Sequence, residues 1–376
     1  MKKIMIIALL SLIVMTLSGC KPKFENPNPD YCEEGAIEGV YKCTKSWTSV
    51  FDTTISLTLY VTSTDTYDIV EIFENVYDIL WKYHVYFDKY NAYSGINNVY
   101  TINQNNDQET VIDQELYDAI EYVLAEEQTI LLDGVSLFNI ALGPVLNIWH
   151  NIREACETTS CPAPSLEPFE AEFNINPDDI LLNPQTKSIS FAKPDMIIDL
   201  GGFGKGYVQE KVTDYLDNLN IRYLLNAGNS NVKSGGINPN NDDGYYYIAL
   251  IEPNLEFSFS NTYFVYLKVP GGMALVTSGN YQRFFIGIED DVVYHHIIDP
   301  RTYLPGGEAM SVTVITEDGG LGDIYSTAVF LMSVEEGKTF VEATEGLEAI
   351  WYKTDGTVEY SSGFGTYIFE LFPNRT

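Results

Sequence analysis

The sequence predicts an α+β fold, and three features carry the prediction. Short segments of alternating polarity follow one another through the second half of the chain. Segments with apolar residues at helical spacing are few and do not interleave regularly with the strands, as a doubly wound parallel sheet requires. Internal repeats and long low-complexity runs are absent. In order, residues 54–61 alternate as a strand, and residues 69–86 and 116–132 carry apolar positions at helical spacing. Residues 152–184 are polar and proline-bearing and form an inserted excursion. Phe191, residues 196–200 and residues 223–225 read as strands around a glycine-rich turn, and residues 238–244 as a loop. Residues 245–251, 262–269, 274–277, 292–298, 311–315 and 349–352 read as strands, and residues 322–332 as a helix.

The N-terminus sets the expected compartment. Lys2 and Lys3 precede a short apolar run that ends in Leu17-Ser18-Gly19-Cys20. A basic start, a run too short to span a bilayer and small residues before a cleavage point describe a signal peptide. Cys20 after Leu-Ser-Gly resembles a bacterial lipobox, which implies a lipidated Cys20 on the extracytoplasmic side of the cell membrane. The expected organisation is a signal peptide over residues 1–19, a lipidated tether over 20–45, one catalytic body over 46–370 and a tail over 371–376.

With 21 basic against 53 acidic residues the net charge is −32. That excludes general nucleic-acid binding, which needs a basic face, and leaves membrane attachment to the lipid. A phosphate-bearing ligand would need local positive charge or a divalent cation. The four cysteines after Cys20 fall into two close pairs, Cys32 with Cys43 and Cys156 with Cys161, so two local disulfides are expected. Zinc is the alternative, but the spacings are not zinc-like and only four histidines are present.

Three segments carry site chemistry. Residues 198–206, Ile-Asp-Leu-Gly-Gly-Phe-Gly-Lys-Gly, read as strand, bare turn and helix start. Such a turn admits a ligand to the backbone, and Lys205 at the helix N-terminus suits phosphate; a plain tight turn has the same sequence. Asp323 and Thr327 stand four apart on a helix, an oxygen pair that suits Mg²⁺ or an ordinary capping Asp with a solvent-facing Thr. His295, His296, Asp299 and Arg301 fall close together at a strand end, as a general base with partners or as an Asp-Pro turn.

Taken in order, these motifs resemble the ApbE family of FAD:protein FMN transferases. The residues are Asp199-Leu-Gly-Gly-Phe-Gly-Lys-Gly206, Leu224-Leu-Asn-Ala-Gly228, Val276-Thr-Ser-Gly-Asn-Tyr281, His296-Ile-Ile-Asp-Pro-Arg-Thr302 and Asp323-x-x-Ser-Thr327. Upstream, Phe51-Asp52-Thr53 stands for Met-Gly-Thr, and Tyr90, Ser94 and Asn103 match a Tyr-x-x-x-Ser…Asn stretch. Phe138-Asn139 and Gly143-Pro-Val-Leu-Asn-Ile-Trp149 match Phe-Asp-Pro-Thr-x-Gly-Pro-Leu-x-Asn-x-Trp. The resemblance covers residues 45 to 370. It implies a T-fold-like mixed architecture with an FAD cleft between subdomains. It also implies Mg²⁺-dependent transfer of FMN from FAD to a threonine of a partner redox protein, with release of AMP. Asp323, Thr327 and backbone oxygen near Gly202 are then the cation ligands. Asp199 and Lys205 hold FAD, with Phe51, Tyr90, Phe138, Asn139 and Ile298 as further contacts. His296 is the expected base.

The chain departs from the pattern at Asn139 (for Asp), at Asn229 and Ser230 (for Gly-Asp), at Tyr303 (for Gly) and at Phe51 (for Met). Two other readings stay open: hydrolysis of FAD to FMN and AMP, and a lipoprotein that binds flavin or captures a solute without chemistry.

Overall fold

A row of alternating strands buries one face only if enough of them pair, and here nine do. The computed structural model describes residues 28–62, 64–254 and 262–372. Its main sheet is antiparallel throughout. The spatial order is Cys32–Glu34, Val40–Val50, Thr53–Thr62, Arg222–Ala227, Asn231–Gly235, Ala274–Gly279, Ala309–Thr316, Glu348–Lys353 and Val358–Tyr360. Helices lie apart from this sheet order, as expected of α+β: α1 Ile69–Phe87, α2 Val99–Gln104, α3 Gln114–Glu127, α4 Gly143–Glu154, α5 Gly204–Asn218, α6 Gly319–Leu331 and α7 Val334–Ala343. A second sheet of Tyr246–Ile251, Tyr263–Val269 and Ile368–Leu371 covers part of the main one.

Three apolar clusters fill the body. The largest joins α1, α3, α5 and α6 to one face of the main sheet through residues such as Phe73, Val76, Leu116, Phe203, Val208 and Phe330. A second lies under the three-stranded sheet around Phe264, Leu267 and Phe364. The third gathers Trp149 of α4, Phe169, Phe285, Tyr294 and Ile298. Both local disulfides form, Cys32–Cys43 and Cys156–Cys161.

Several expectations are corrected. The tether does not run to residue 45, because Cys32–Glu34 and Val40–Val50 pair into the main sheet, in register at Cys32 and Cys43. Tyr41, Cys43, Trp47 and Val50 face inward there, but the polar residues between them hide the alternation. The tail starts later than expected, since Leu371 pairs with Val265 and Phe372 donates to the Phe264 carbonyl at 2.9 Å. The helix expected over 116–132 stops at Glu127. Asp133 and Gly134, both with positive φ, turn Leu131–Leu132 back onto Val135–Ser136 in a two-residue hairpin. The strand expected over 292–298 is confined to Val293–His295, and residues 196–200 are extended without joining a sheet beyond a single bridge at Ile197. The signal peptide and Cys20 lie outside the described residues. Among those described, no helix is long and apolar enough to cross a membrane.

One buried acid bears on stability. Glu127 is fully buried, and its Oε2 accepts the Ile140 N–H at 3.1 Å while Oε1 has no partner. Burial outweighs that bond and pushes its pKa up to about 8. Between the ordinary glutamate value near 4.3 and about 8, the folded chain holds a proton that the unfolded chain has released, so stability falls as pH rises through this window. Glu127→Gln removes that linkage. Relative to the parent, the variant should gain on the order of 5 kcal/mol between pH 4 and pH 9, read from denaturant midpoints. A difference that stays constant with pH would show that Glu127 does not titrate in this way.

Candidate active site

The glycine-rich segment is held by side chains in place of a sheet. Asn103 both accepts the Ile198 N–H and donates to the Ile198 carbonyl, each at 2.9 Å. Asn106 donates to the Met196 carbonyl, and the Asp199 N–H reaches the Ile140 carbonyl at 2.8 Å. This pins Asp199, whose Oδ1 accepts the Gly201 N–H at 2.7 Å and so shapes the turn. Its Oδ2 receives Lys89 Nζ at 2.7 Å, and Lys89 also donates to Asn147 on α4 at 2.9 Å. Burial alone would lower the Lys89 pKa, but Asp199 outweighs it and raises it. The charge of Asp199, expected to face FAD, is therefore spent on Lys89.

The turn runs directly into α5. At Gly206 an added Cβ would sit 2.0 Å from the Gly319 carbonyl and 2.9 Å from Asp323 Oδ2, so α5 and α6 approach as only glycine permits. The Gly206 N–H donates to Asp323 Oδ2 at 2.6 Å, and Asn231 Nδ2 donates to Oδ1 at 2.7 Å. Thus the helix N-terminus expected to meet phosphate meets the Asp323 carboxylate at this N–H. One turn further, Glu210 accepts the Gly319 N–H at 2.6 Å and Lys233 Nζ at 2.5 Å, which fixes the start of α6.

Asp323 is buried and makes no ion pair among the described residues. Burial raises its pKa, while nearby Lys205, the Asn231 amide and the Gly206 N–H act against the rise. Thr327 lies one turn on, with its Oγ1 3.5 Å from Ser278 Oγ. Gly202, expected to complete the set, is exposed beside the Phe138 ring; the contact of the turn with Asp323 is at Gly206. Among the described residues no three His, Cys, Asp or Glu side chains gather as a metal cluster. A carboxylate with hydroxyl and carbonyl neighbours fits a hard ion that keeps waters and shares ligand phosphates, which describes Mg²⁺ better than Zn²⁺.

His296 follows the strand end, partly accessible but with its Nδ1 buried and unpartnered. Burial, then His295, Arg283, Arg153 and Lys205, hold its pKa well below the usual value, so the ring is neutral near pH 7. His295 is not a free neighbour. It is buried against Phe330, its Nδ1 accepts the Ile297 N–H at 3.3 Å, and burial takes its pKa down to about 4. Asp299 is taken up by Arg301, at 2.7 Å from Nη2, and Arg301 reaches on to the Leu331 carbonyl at the end of α6.

The other expected contacts divide. Tyr90 is 52% exposed, with its ring tilted against His150 at 5.3 Å and beside Lys89. Phe51, in the hairpin turn with φ +55°, packs edge-on to His84 and comes near Gly204. Phe138 and Ile298 are only 6% and 4% exposed, so they pack beneath the site and offer it little open surface. Asn139 bonds the Ile175 carbonyl and the Ala141 N–H and shapes the approach to α4. Sequence reasoning missed Lys89, Arg153, Arg283 and Asn231. Lys89 and Asn231 each sit next to a quoted motif, the one signal that pointed to them.

The sequence model of the ApbE family matches residues 51–351. This chain belongs to the ApbE family. It is 31% identical over 235 residues to an FAD:protein FMN transferase of Klebsiella pneumoniae, covering 60% of this chain and 66% of that protein. It is 28% identical over 244 residues to one of Vibrio cholerae, covering 63% and 68%. The ApbE protein of Thermotoga maritima superposes with a TM-score of 0.72 at 24% identity, over 88% of this chain and all of that one. The α+β fold is thus the ApbE fold.

The close approach at Gly206 can be checked. Gly206→Ala should lower stability by about 1–3 kcal/mol, as overpacking does, because the added Cβ meets the Gly319 carbonyl. A melting temperature equal to the parent's would contradict the α5–α6 geometry described.

Proposed function

We propose that this ApbE-family chain transfers FMN from FAD to a threonine of a partner redox protein, releasing AMP, with Mg²⁺ as cofactor. The supporting observation is the buried Asp323 carboxylate, held by Gly206 and Asn231 beside Lys205 and Thr327 and without an ion-pair partner among the described residues. In the reaction the threonine oxygen bonds to the FMN phosphorus, the anhydride P–O bond breaks, and AMP leaves with the bridging oxygen. The threonine proton passes to a base. Mg²⁺ bound at Asp323 and Thr327 would neutralise phosphate oxygens as negative charge shifts to the leaving group.

The residues of the chain do the rest. Lys205 supplies a positive charge next to Asp323 and within electrostatic reach of His296. Neutral His296, whose ring is partly accessible, is fit to take the threonine proton. Its pKa is low partly because Arg283, Arg153 and Lys205 surround it; an anionic substrate among these cations would raise it toward the working pH. Exposed Tyr90 with His150 offers a ring surface for flavin or adenine. Lipidation of Cys20 would place the enzyme at the outer face of the membrane, with an acceptor there.

The deciding experiment incubates the protein with FAD and Mg²⁺, with and without a candidate acceptor, and reads in-gel flavin fluorescence and AMP release. Acceptor-dependent fluorescence supports transfer; AMP without labelled protein supports hydrolysis. Asp323→Ala should remove most turnover, and activity that survives both this change and EDTA would overturn the metal assignment. His296→Ala should cut transfer by about 10²–10⁴-fold with FAD binding changed much less. His295→Ala should cost about 1–3 kcal/mol of stability, because its ring is buried, and should leave transfer near normal. Equal losses of transfer in the two variants would mean that His296 is not the base.

A further inference from the structure

Asn231 opens the strand Asn231–Gly235 in the interior of the main sheet and is fully buried. An amide in that position needs partners at both ends, and it has them. Its Nδ2 donates to Asp323 Oδ1 at 2.7 Å, and its Oδ1 accepts the Ser230 hydroxyl at 2.7 Å. Ser230 is held in turn, because its carbonyl accepts the Thr277 N–H at 2.7 Å. With the amide oxygen facing Ser230, the NH₂ end must face Asp323. Oδ2 of that carboxylate is already fixed by the backbone at Gly206.

We propose that Asn231, oriented by Ser230, is a positioning residue that sets the Asp323 carboxylate for a divalent cation. The inference rests on the Mg²⁺-dependent reading above. Two donors, one on each oxygen, define the plane of the carboxylate and leave each oxygen a lone pair for a metal. Without Asn231 the carboxylate regains rotational freedom and the cation must order it on binding. Ser230 stands where the family pattern has Asp. The Ser230–Asn231 pair therefore fixes Asp323 without bringing a second negative charge into a buried site.

The test compares the parent with Asn231→Leu and Asn231→Ser. Two quantities are read: the Mg²⁺ concentration for half-maximal FAD binding, by flavin fluorescence, and the rise in melting temperature that Mg²⁺ gives in the presence of FAD. Both variants should need about tenfold more Mg²⁺, the equivalent of one hydrogen bond to a charged group. At saturating Mg²⁺ their FAD affinity should return to within about threefold of the parent. In an Asp323→Asn background, Asn231→Leu should shift nothing further, because the residue acts through Asp323. Lower melting temperatures with an unchanged Mg²⁺ requirement would reduce Asn231 to packing and overturn the proposal. If Asn231→Leu does not fold, the smaller Asn231→Ser decides alone. A parent whose FAD binding ignores Mg²⁺ would overturn both this proposal and the transferase reading; a Mg²⁺ response in the parent that the variants share unchanged would overturn this proposal alone.

Discussion

A buried carboxylate is the constraint around which this structure is arranged. Asp323 has left water without an ion-pair partner among the described residues, and such a charge is expensive unless donors surround it. The donors come from two separate stretches of chain: the first turn of α5, with the Gly206 N–H and the charge of Lys205, and the start of the strand Asn231–Gly235. Each needs its own support. Gly206 must lack a side chain because the Gly319 carbonyl lies where its Cβ would be. α6 is fixed at its start by Glu210, which Lys233 holds. The glycine turn is kept in place by Asn103 and by the Asp199–Lys89 pair. Remove the carboxylate and these arrangements lose their common purpose.

Charge distribution follows the same logic. A chain of net charge −32 repels phosphate on average, so an anionic substrate needs a local reversal of sign. Lys205, Arg153 and Arg283 supply it: all three act on His296, and among the described residues none of them has a carboxylate within ion-pair distance. Lys89 does not belong to that set, because Asp199 has taken it. Burial keeps His296 neutral in the unliganded chain, and the charges that would receive the substrate add to that effect.

Strongly patterned elements were legible from sequence and locally specified ones were not. Thr53–Thr62, α1 and the strands Tyr246–Ile251 and Tyr263–Val269 follow their hydrophobic period closely. The period failed where side chains replace a ladder, as at residues 196–200, where Asn103 and Asn106 do the pairing. It failed again where outward polar residues mask an inward face, as in Val40–Val50. In the site, the ordered motifs named Asp323, Thr327, Lys205 and His296, and these are the residues that share one environment. What a motif cannot show is which charges are already committed. Asp199 and His295 looked available in sequence, and tertiary contacts with Lys89 and Phe330 occupy them. Asn231 carries no signature of its own, since only folding brings it to Asp323.

Two departures from the family pattern fall where this chain's backbone is left-handed. Asn229 and Tyr303, both standing for glycine, have positive φ at +60° and +62°. For asparagine that conformation is mild, because its short side chain tolerates it. For tyrosine it costs of order 1 kcal/mol or more, and local contacts must offset the cost. The Tyr303 carbonyl accepts Trp149 Nε1 at 2.7 Å, and its ring meets Phe173 edge-on at 5.3 Å. Trp149 stacks in turn on Phe169 at 4.8 Å. The excursion that supplies Phe169 and Phe173 is thereby packed against both α4 and the loop that follows His296. A bulky residue at 303 is tolerated because the excursion gives it something to pack on, and the excursion is anchored because that residue is there. The loop bearing His296 is therefore braced from a part of the chain that carries none of the family's motifs.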